Sequence, residues 1–160
     1  MAIVDPVTLS VLWGGLTAVC EQMGTVQRRS AYSVAFREAR DHSAALADAR
    51  GRLIAQGNFS PAHLGSFPFV IRHVLDAYPP DTLEPGDVIL LNDSAMGSGH
   101  LLDFILAAPI FCNDQLAAFA LSCGHMVDIG GAGAGSQAVN VMDFYQEGIR
   151  LLPTKLYSRG

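Results

Sequence analysis

Two β-rich apolar runs, Phe104–Phe111 and Gln115–Cys123, are separated by little more than the turn dipeptide Asn113-Asp114. Strands joined by so short a connection can only pair as antiparallel neighbours, so this stretch has to form a hairpin. The sequence turns polar at its open end. Gly97-Ser98-Gly99-His100-Leu101-Leu102-Asp103 leads into the first strand, and Gly124-His125-Met126-Val127-Asp128 leaves the second. Antiparallel pairing therefore sets the region of Asp103 beside that of His125, at a strand end where a rigid scaffold can present chemistry.

His100, Asp103 and His125 together offer two nitrogens and one oxygen, a donor set that suits a divalent metal and leaves further positions open. Gly99 and Gly124 precede the two histidines, so neither is crowded by its neighbour. The pattern is loose, and it fits two other readings. One is a non-haem iron enzyme with two histidines and one carboxylate. The other is a pair of satisfied polar residues near a turn plus a core histidine.

The remainder of the chain supplies elements to flank this hairpin. Residues 6–29 read as a helix, capped by Asp5 and started by Pro6, with an apolar stripe from Leu9 to Met23 expected to pack in the core. Gly14-Gly15 in its middle implies a close neighbour there. Ser43–Ala47 and Arg52–Ala55 flank a Gly51 turn and form a second hairpin. The polar cluster just before it, Arg37 to His42, reads as a solvated edge or as a lining for the site through Arg37, Arg40 or Asp41. Residues 58–65, with His63, read as loop. Phe67–Tyr78 reads as a helix stopped by Pro79-Pro80, and Asp87–Leu91 as a short buried strand leading to Asn92-Asp93. Gly130–Ser136 is a glycine-rich loop without the lysine and hydroxyl of a P-loop or the spacing of a dinucleotide fingerprint. Val139–Ile149 reads as a short helix, and the segment after it as extended.

With 160 residues, 50% of them hydrophobic, the chain is long enough for one domain, and 1–160 is read as a single domain or a fragment. A formal net charge of −5 without a basic cluster argues against nucleic acid or an anionic membrane as partner. Three cysteines without CxxC spacing, Cys20, Cys112 and Cys123, read as buried reduced thiols, which points to the cytoplasm. Asp5 and Pro6 interrupt any secretion signal, and no apolar run reaches the length of a membrane span.

Several motifs in order make the chain recognisable: Asp5-Pro6-Val7-Thr8-Leu9, Arg40-Asp41-His42-Ser43, Asp48-Ala49-Arg50-Gly51-Arg52-Leu53, His63-Leu64-Gly65-Ser66, Pro85-Gly86-Asp87-Val88, Gly99-His100-Leu101-Leu102-Asp103, Asp128-Ile129-Gly130-Gly131 and Gln146-Glu147-Gly148-Ile149-Arg150. Across essentially its whole length it resembles the N-terminal part of the hydantoinase B/oxoprolinase family, which includes N-methylhydantoinase B subunits and the metal subunits of acetone and acetophenone carboxylases. The resemblance implies that His100, Asp103 and His125 hold a divalent metal, zinc, manganese or iron, with Asp128, Asp93 and His63 as candidates to orient them. It further implies a hydantoinase A-type partner that uses ATP and Mg²⁺ to phosphorylate a cyclic amide or an enolised ketone, which water or carbon dioxide then attacks. The expected fold is α+β, a mainly antiparallel sheet with flanking helices on one side, forming the N-terminal segment of a larger subunit. Family members are longer, so the chain is expected to be a fragment, inactive alone, or else a non-catalytic assembly module without metal.

Overall fold

Asn113 and Asp114 both adopt positive φ, 50° and 61°, the turn chemistry whose twist matches that of two antiparallel strands. They join strands β4 (Asp103–Cys112) and β5 (Gln115–His125) in a computed structural model that describes residues 4–136 and 138–160. This hairpin is the centre of a six-stranded sheet. The other strands are β1 (His42–Asp48), β2 (Leu53–Gln56), β3 (Val88–Leu91) and β6 (Thr154–Tyr157), in the order β2-β1-β5-β4-β3-β6, with every neighbouring pair antiparallel. Gly51 turns β1 into β2 with φ of 77°, a left-handed conformation that a side chain would strain.

The two long helices, α1 (Pro6–Ser30) and α2 (Pro61–Ala77), flank the sheet on opposite faces rather than on one. Side chains alternate along each strand, and the alternation sorts them. Ala45, Ala47, Ile105, Ala107, Phe119 and Leu121 pack with Leu64, Phe67, Val70, Ile71 and Val74 of α2 in the main core. Leu46 and Ala55 point the other way and meet Cys20 of α1 in a small second cluster, with Leu16 and Met23 alongside.

Local expectations fail where tertiary contact differs from pattern. The stripe of α1 does not form core along its length: Leu9, Leu12, Trp13 and Val19 are exposed, Trp13 by 64%, because only the later turns of the helix lie on β1 and β2. Gly14 and Gly15 have open space around them, not a close neighbour. The second helix starts at Pro61 rather than Phe67, so His63 lies in its first turn and not in a loop. Pro61 suits the first helical position, and burial of His63, Leu64 and Phe67 carries the helix past Gly65 and Pro68. Residues 139–149 form no long helix. Val139 and Met142 are exposed, so an α-helix there would have no apolar face to bury. A single 3₁₀ turn, Phe144–Gln146, forms instead under an Asp143/Gln146 capping box. Cys20 and Cys123 are buried, Cys112 is exposed, and all three are free. Among the described residues no helix is long and apolar enough to cross a membrane.

Candidate metal centre

Strand register carries Asp103 to its place. Asp103 pairs directly with His125 across the open end of β4–β5, and both side chains point to the face that α2 covers. His100 arrives from a loop with little freedom. The Asn92 side-chain amide donates to the carbonyls of Leu101 and Ile149, its oxygen accepts from Leu151 N–H, and the Ser98 hydroxyl lies 2.8 Å from Asn92 O and 2.7 Å from His100 O. Asp103 N–H then donates back to His100 O, closing the turn that brings the two side chains together.

One oxygen is the focus of the arrangement. Asp103 Oδ1 lies 3.2 Å from His100 Nε2, 3.2 Å from His125 Nδ1 and 3.5 Å from His63 Nε2. Asp41 faces the same space, with Oδ1 3.5 Å from His63 Nε2 and Oδ2 3.8 Å from His125 Nδ1. Asp103 and His63 are buried, His125 nearly so, while the His100 side chain is 42% exposed. The cluster is therefore buried around Asp103 and His63 and reaches solvent at His100 and Asp41.

Burial alone would raise the Asp103 carboxyl. The hydrogen bonds and charges of His100 and His63 outweigh it and hold the group well below the usual carboxylate range. His100 shifts up, chiefly through its hydrogen bond to Asp103 and against its own partial burial. The Cys123 thiol two residue pairs inward is pushed well up by burial and by the Asp103 and Asp41 charges, so it stays a neutral core thiol.

Ligand-type atoms of His100, Asp103 and His125 all lie within 4.8 Å of one another. That spacing and the mixed nitrogen and oxygen chemistry suit a divalent cation, so the residues singled out in the sequence do converge. The three residues proposed to orient them divide. His63 reaches the centre, but the other two are engaged elsewhere. Asp93 pairs with Arg150 at 2.5 Å and caps the turn at Ala95. Asp128 accepts from Gly130 N–H, Gly135 N–H and the Ser136 hydroxyl, which organises the glycine loop and takes up amides that a phosphate would need. Asp41 is the residue that the sequence left ambiguous. Arg40 turns the chain with a left-handed φ of 57°, and Asp41 O then accepts from His125 N–H, which extends the β1–β5 pairing and sets the Asp41 carboxylate beside His125. A π-helical turn, Ala35–Ala39, places Phe36 against Gly124, where a Cβ would stand 1.7 Å from the ring, so this glycine is a packing requirement.

Comparison with known proteins places the chain in a family. The chain is 34% identical to caprolactamase subunit beta of Pseudomonas jessenii over 160 residues, covering 100% of this chain and 27% of that one. It is 35% identical over 98% of its length to an uncharacterized protein of Methanocaldococcus jannaschii, of which it covers 28%, and 33% identical to the 5-oxoprolinase PfmaA of Pestalotiopsis fici, of which it covers 12%. The crystal structure of the ATP-dependent caprolactamase from Pseudomonas jessenii superposes with a TM-score of 0.87 at 32% identity, over 99% of this chain and 27% of that one. A nucleotide-free acetone carboxylase shares the fold, with a TM-score of 0.88 at 21% identity over 97% of this chain and 21% of that one. The chain thus spans about a quarter or less of the relatives it matches. Residues 5–160 match the hydantoinase B/oxoprolinase family, and the chain belongs to that family.

Proposed function

We propose that this chain supplies the metal-holding segment of a B-type subunit in an ATP-dependent enzyme that opens a cyclic amide. The observation that carries the reading is the meeting of His100, Asp103 and His125 at one strand end, in a family whose relatives at 33–34% identity are named caprolactamase and 5-oxoprolinase. Those names favour an amide over a ketone as substrate.

A divalent ion held by His100, Asp103 and His125 would supply Lewis acidity toward a substrate oxygen. The protein's own contribution is positional. Asp103 keeps its negative charge in a buried setting, the rigid 92–103 loop and the strand register fix the two imidazoles, and the exposed side of His100 is the direction from which a substrate can approach. ATP and Mg²⁺ belong, in this reading, to an A-type partner subunit.

Two measurements test it. Elemental analysis of the purified chain is expected to give about one zinc, manganese or iron per polypeptide. Ring opening of 5-oxoproline, hydantoin and caprolactam is then followed with the chain alone, with an A-type partner, and with that partner plus a full-length B subunit as positive control. The expected result is ATP-dependent turnover in the last mixture only, because the chain covers about a quarter of its B-type relatives. A metal-free chain would instead favour a non-catalytic assembly module, and turnover by the chain alone would show that the pocket is already complete.

A further inference from the structure

Between the last turns of α1 and the turn at Arg40 lies a cavity of about 340 Å³, lined by Thr25, Arg28, Arg40, His42 and Asn58 with Glu21 at its side. Alternation along β1 puts His42 on the α1 face with Leu46, across the strand from the metal centre. Two walls of the cavity are cationic. Among the described residues the ion pairs of arginine and lysine use Arg52, Arg150, Lys155 and Arg159, and neither Arg28 nor Arg40 is in one. The one carboxylate in the lining is already engaged, because Asn58 N–H donates to Glu21 Oε1 at 2.6 Å. His42 belongs to the inner wall. It is fully buried, and neither ring nitrogen has a hydrogen-bond partner. Either tautomer of the neutral ring therefore leaves an N–H without an acceptor. Buried polar atoms are nearly always paired, so an orphaned imidazole on the wall of a polar cavity calls for a partner from outside the chain. Phe36 stacks on the ring and Phe59 tilts against it, and the ring edge, where the nitrogens sit, is what remains for the cavity.

We infer that this cavity binds a small oxyanion of the phosphate type, held by the guanidinium groups of Arg28 and Arg40, with His42 donating to it from the inner wall. The donors select the ligand class. One guanidinium fork satisfies both oxygens of a carboxylate, whereas a phosphate group has enough oxygens to accept from two forks, the Asn58 amide, the Thr25 hydroxyl and an imidazole together. Size agrees, since the volume suits a small molecule and not a polymer. The chemistry is shared by the free ion and by the phosphoryl end of a small ester. An adjoining cavity of about 740 Å³, which shares Arg28 and adds Arg29 and Arg37, leaves room for the body of an ester. Both arginines stand on fixed backbone, Arg28 in the last turn of α1 and Arg40 at the left-handed residue that ends the π-helical turn. The inference is independent of the metal reading, because none of these residues faces the centre.

Nuclear magnetic resonance of the purified full chain tests it, with inorganic phosphate, glycerol 3-phosphate and acetate titrated at constant ionic strength set by chloride. The expected result is saturable shifts of the Arg28 and Arg40 side-chain N–H signals and of the His42 ring with phosphate, a Kd of about 1 mM or below, and none with acetate. Arg28→Gln and His42→Phe should each weaken binding about tenfold or more. His42→Phe keeps the aromatic packing and carries the test if Arg28→Gln does not fold. Arg72→Gln removes the same charge from α2, far from the cavity lining, and should leave the Kd within about twofold. Glycerol 3-phosphate binding as well as phosphate assigns the site to a phosphoester, and binding of inorganic phosphate alone assigns it to the free ion. No saturable shift in wild type, an equal response to acetate, unchanged affinity in a folded site variant, or an equal loss in Arg72→Gln overturns the proposal.

Discussion

Asp103 and His125 are cross-strand partners, and their side chains meet at 3.2 Å on the buried face of the β4–β5 hairpin. Neither can move without breaking the sheet register, so the strand pairing preorganises the pair. Substituting either histidine of the set, His100→Ala or His125→Ala, should therefore remove stoichiometric metal without unfolding the chain. Elemental analysis alongside circular dichroism checks this. Full metal retention in a folded variant would exclude that residue from the ligand set.

The thiols should separate by exposure. Under native conditions iodoacetamide is expected to label Cys112 alone, because burial shields Cys20 and Cys123 and pushes both thiols up. After unfolding, all three should label without a reductant, as read by intact mass. A bridge between Cys112 and Cys123 would contradict the structure.

His42 lies on the opposite face of β1, stacked with Phe36 at 5.9 Å between ring centroids and tilted against Phe59 at 4.7 Å, and neither ring nitrogen has a hydrogen-bond partner. His42→Phe should fill the same aromatic slot without the unsatisfied atoms and stabilise the fold by about 1 kcal/mol or more. Burial pushes this imidazole below its ordinary value. The unfolded chain thus takes up a proton first as pH falls below about 6.5, so His42 costs stability on the acid side. The gain from His42→Phe should accordingly grow between pH 7.5 and 5.5 in urea melts. A gain that shrinks over that range would mean the ring is protonated in the folded chain.

Asp93 is almost completely buried, and its carboxylate is paired with Arg150, tying the loop before His100 to the C-terminal segment. Arg150→Ala leaves that charge without its partner and should destabilise the fold, by less than for a fully enclosed pair because the arginine is partly exposed. Chemical denaturation measures it as a lower midpoint. An unchanged midpoint would show that Asp93 finds another partner. Asp93→Asn with Arg150→Ala should recover part of the loss, since the buried charge is then gone.

Much of the centre was legible because it rests on short-range rules. The Asn113-Asp114 turn dictated the hairpin, the hairpin dictated that Asp103 meets His125, and the turn from His100 to Asp103 spans three residues. Periodicity also located β1, β2 and β3. What it could not show was which face each helix would cover or where a stripe would lie in contact, since Leu9 and Trp13 obey the same helical spacing as Cys20 yet stay exposed. His63 and Asp41 entered the centre through contacts between residues far apart in the chain. The burial of Leu64 and Phe67 pulled α2 one turn and more toward its N-terminus, and the Asp41 carbonyl extended the β1–β5 ladder. The same long-range logic took Asp93 and Asp128 away from the centre, because Arg150 and the glycine-loop amides claimed their oxygens. Residue type and spacing along the chain determined that His100, Asp103 and His125 meet at the hairpin's open end; packing across the sheet decided which other polar groups face them, because only the folded chain brings β1, α2 and the β4–β5 hairpin to one point.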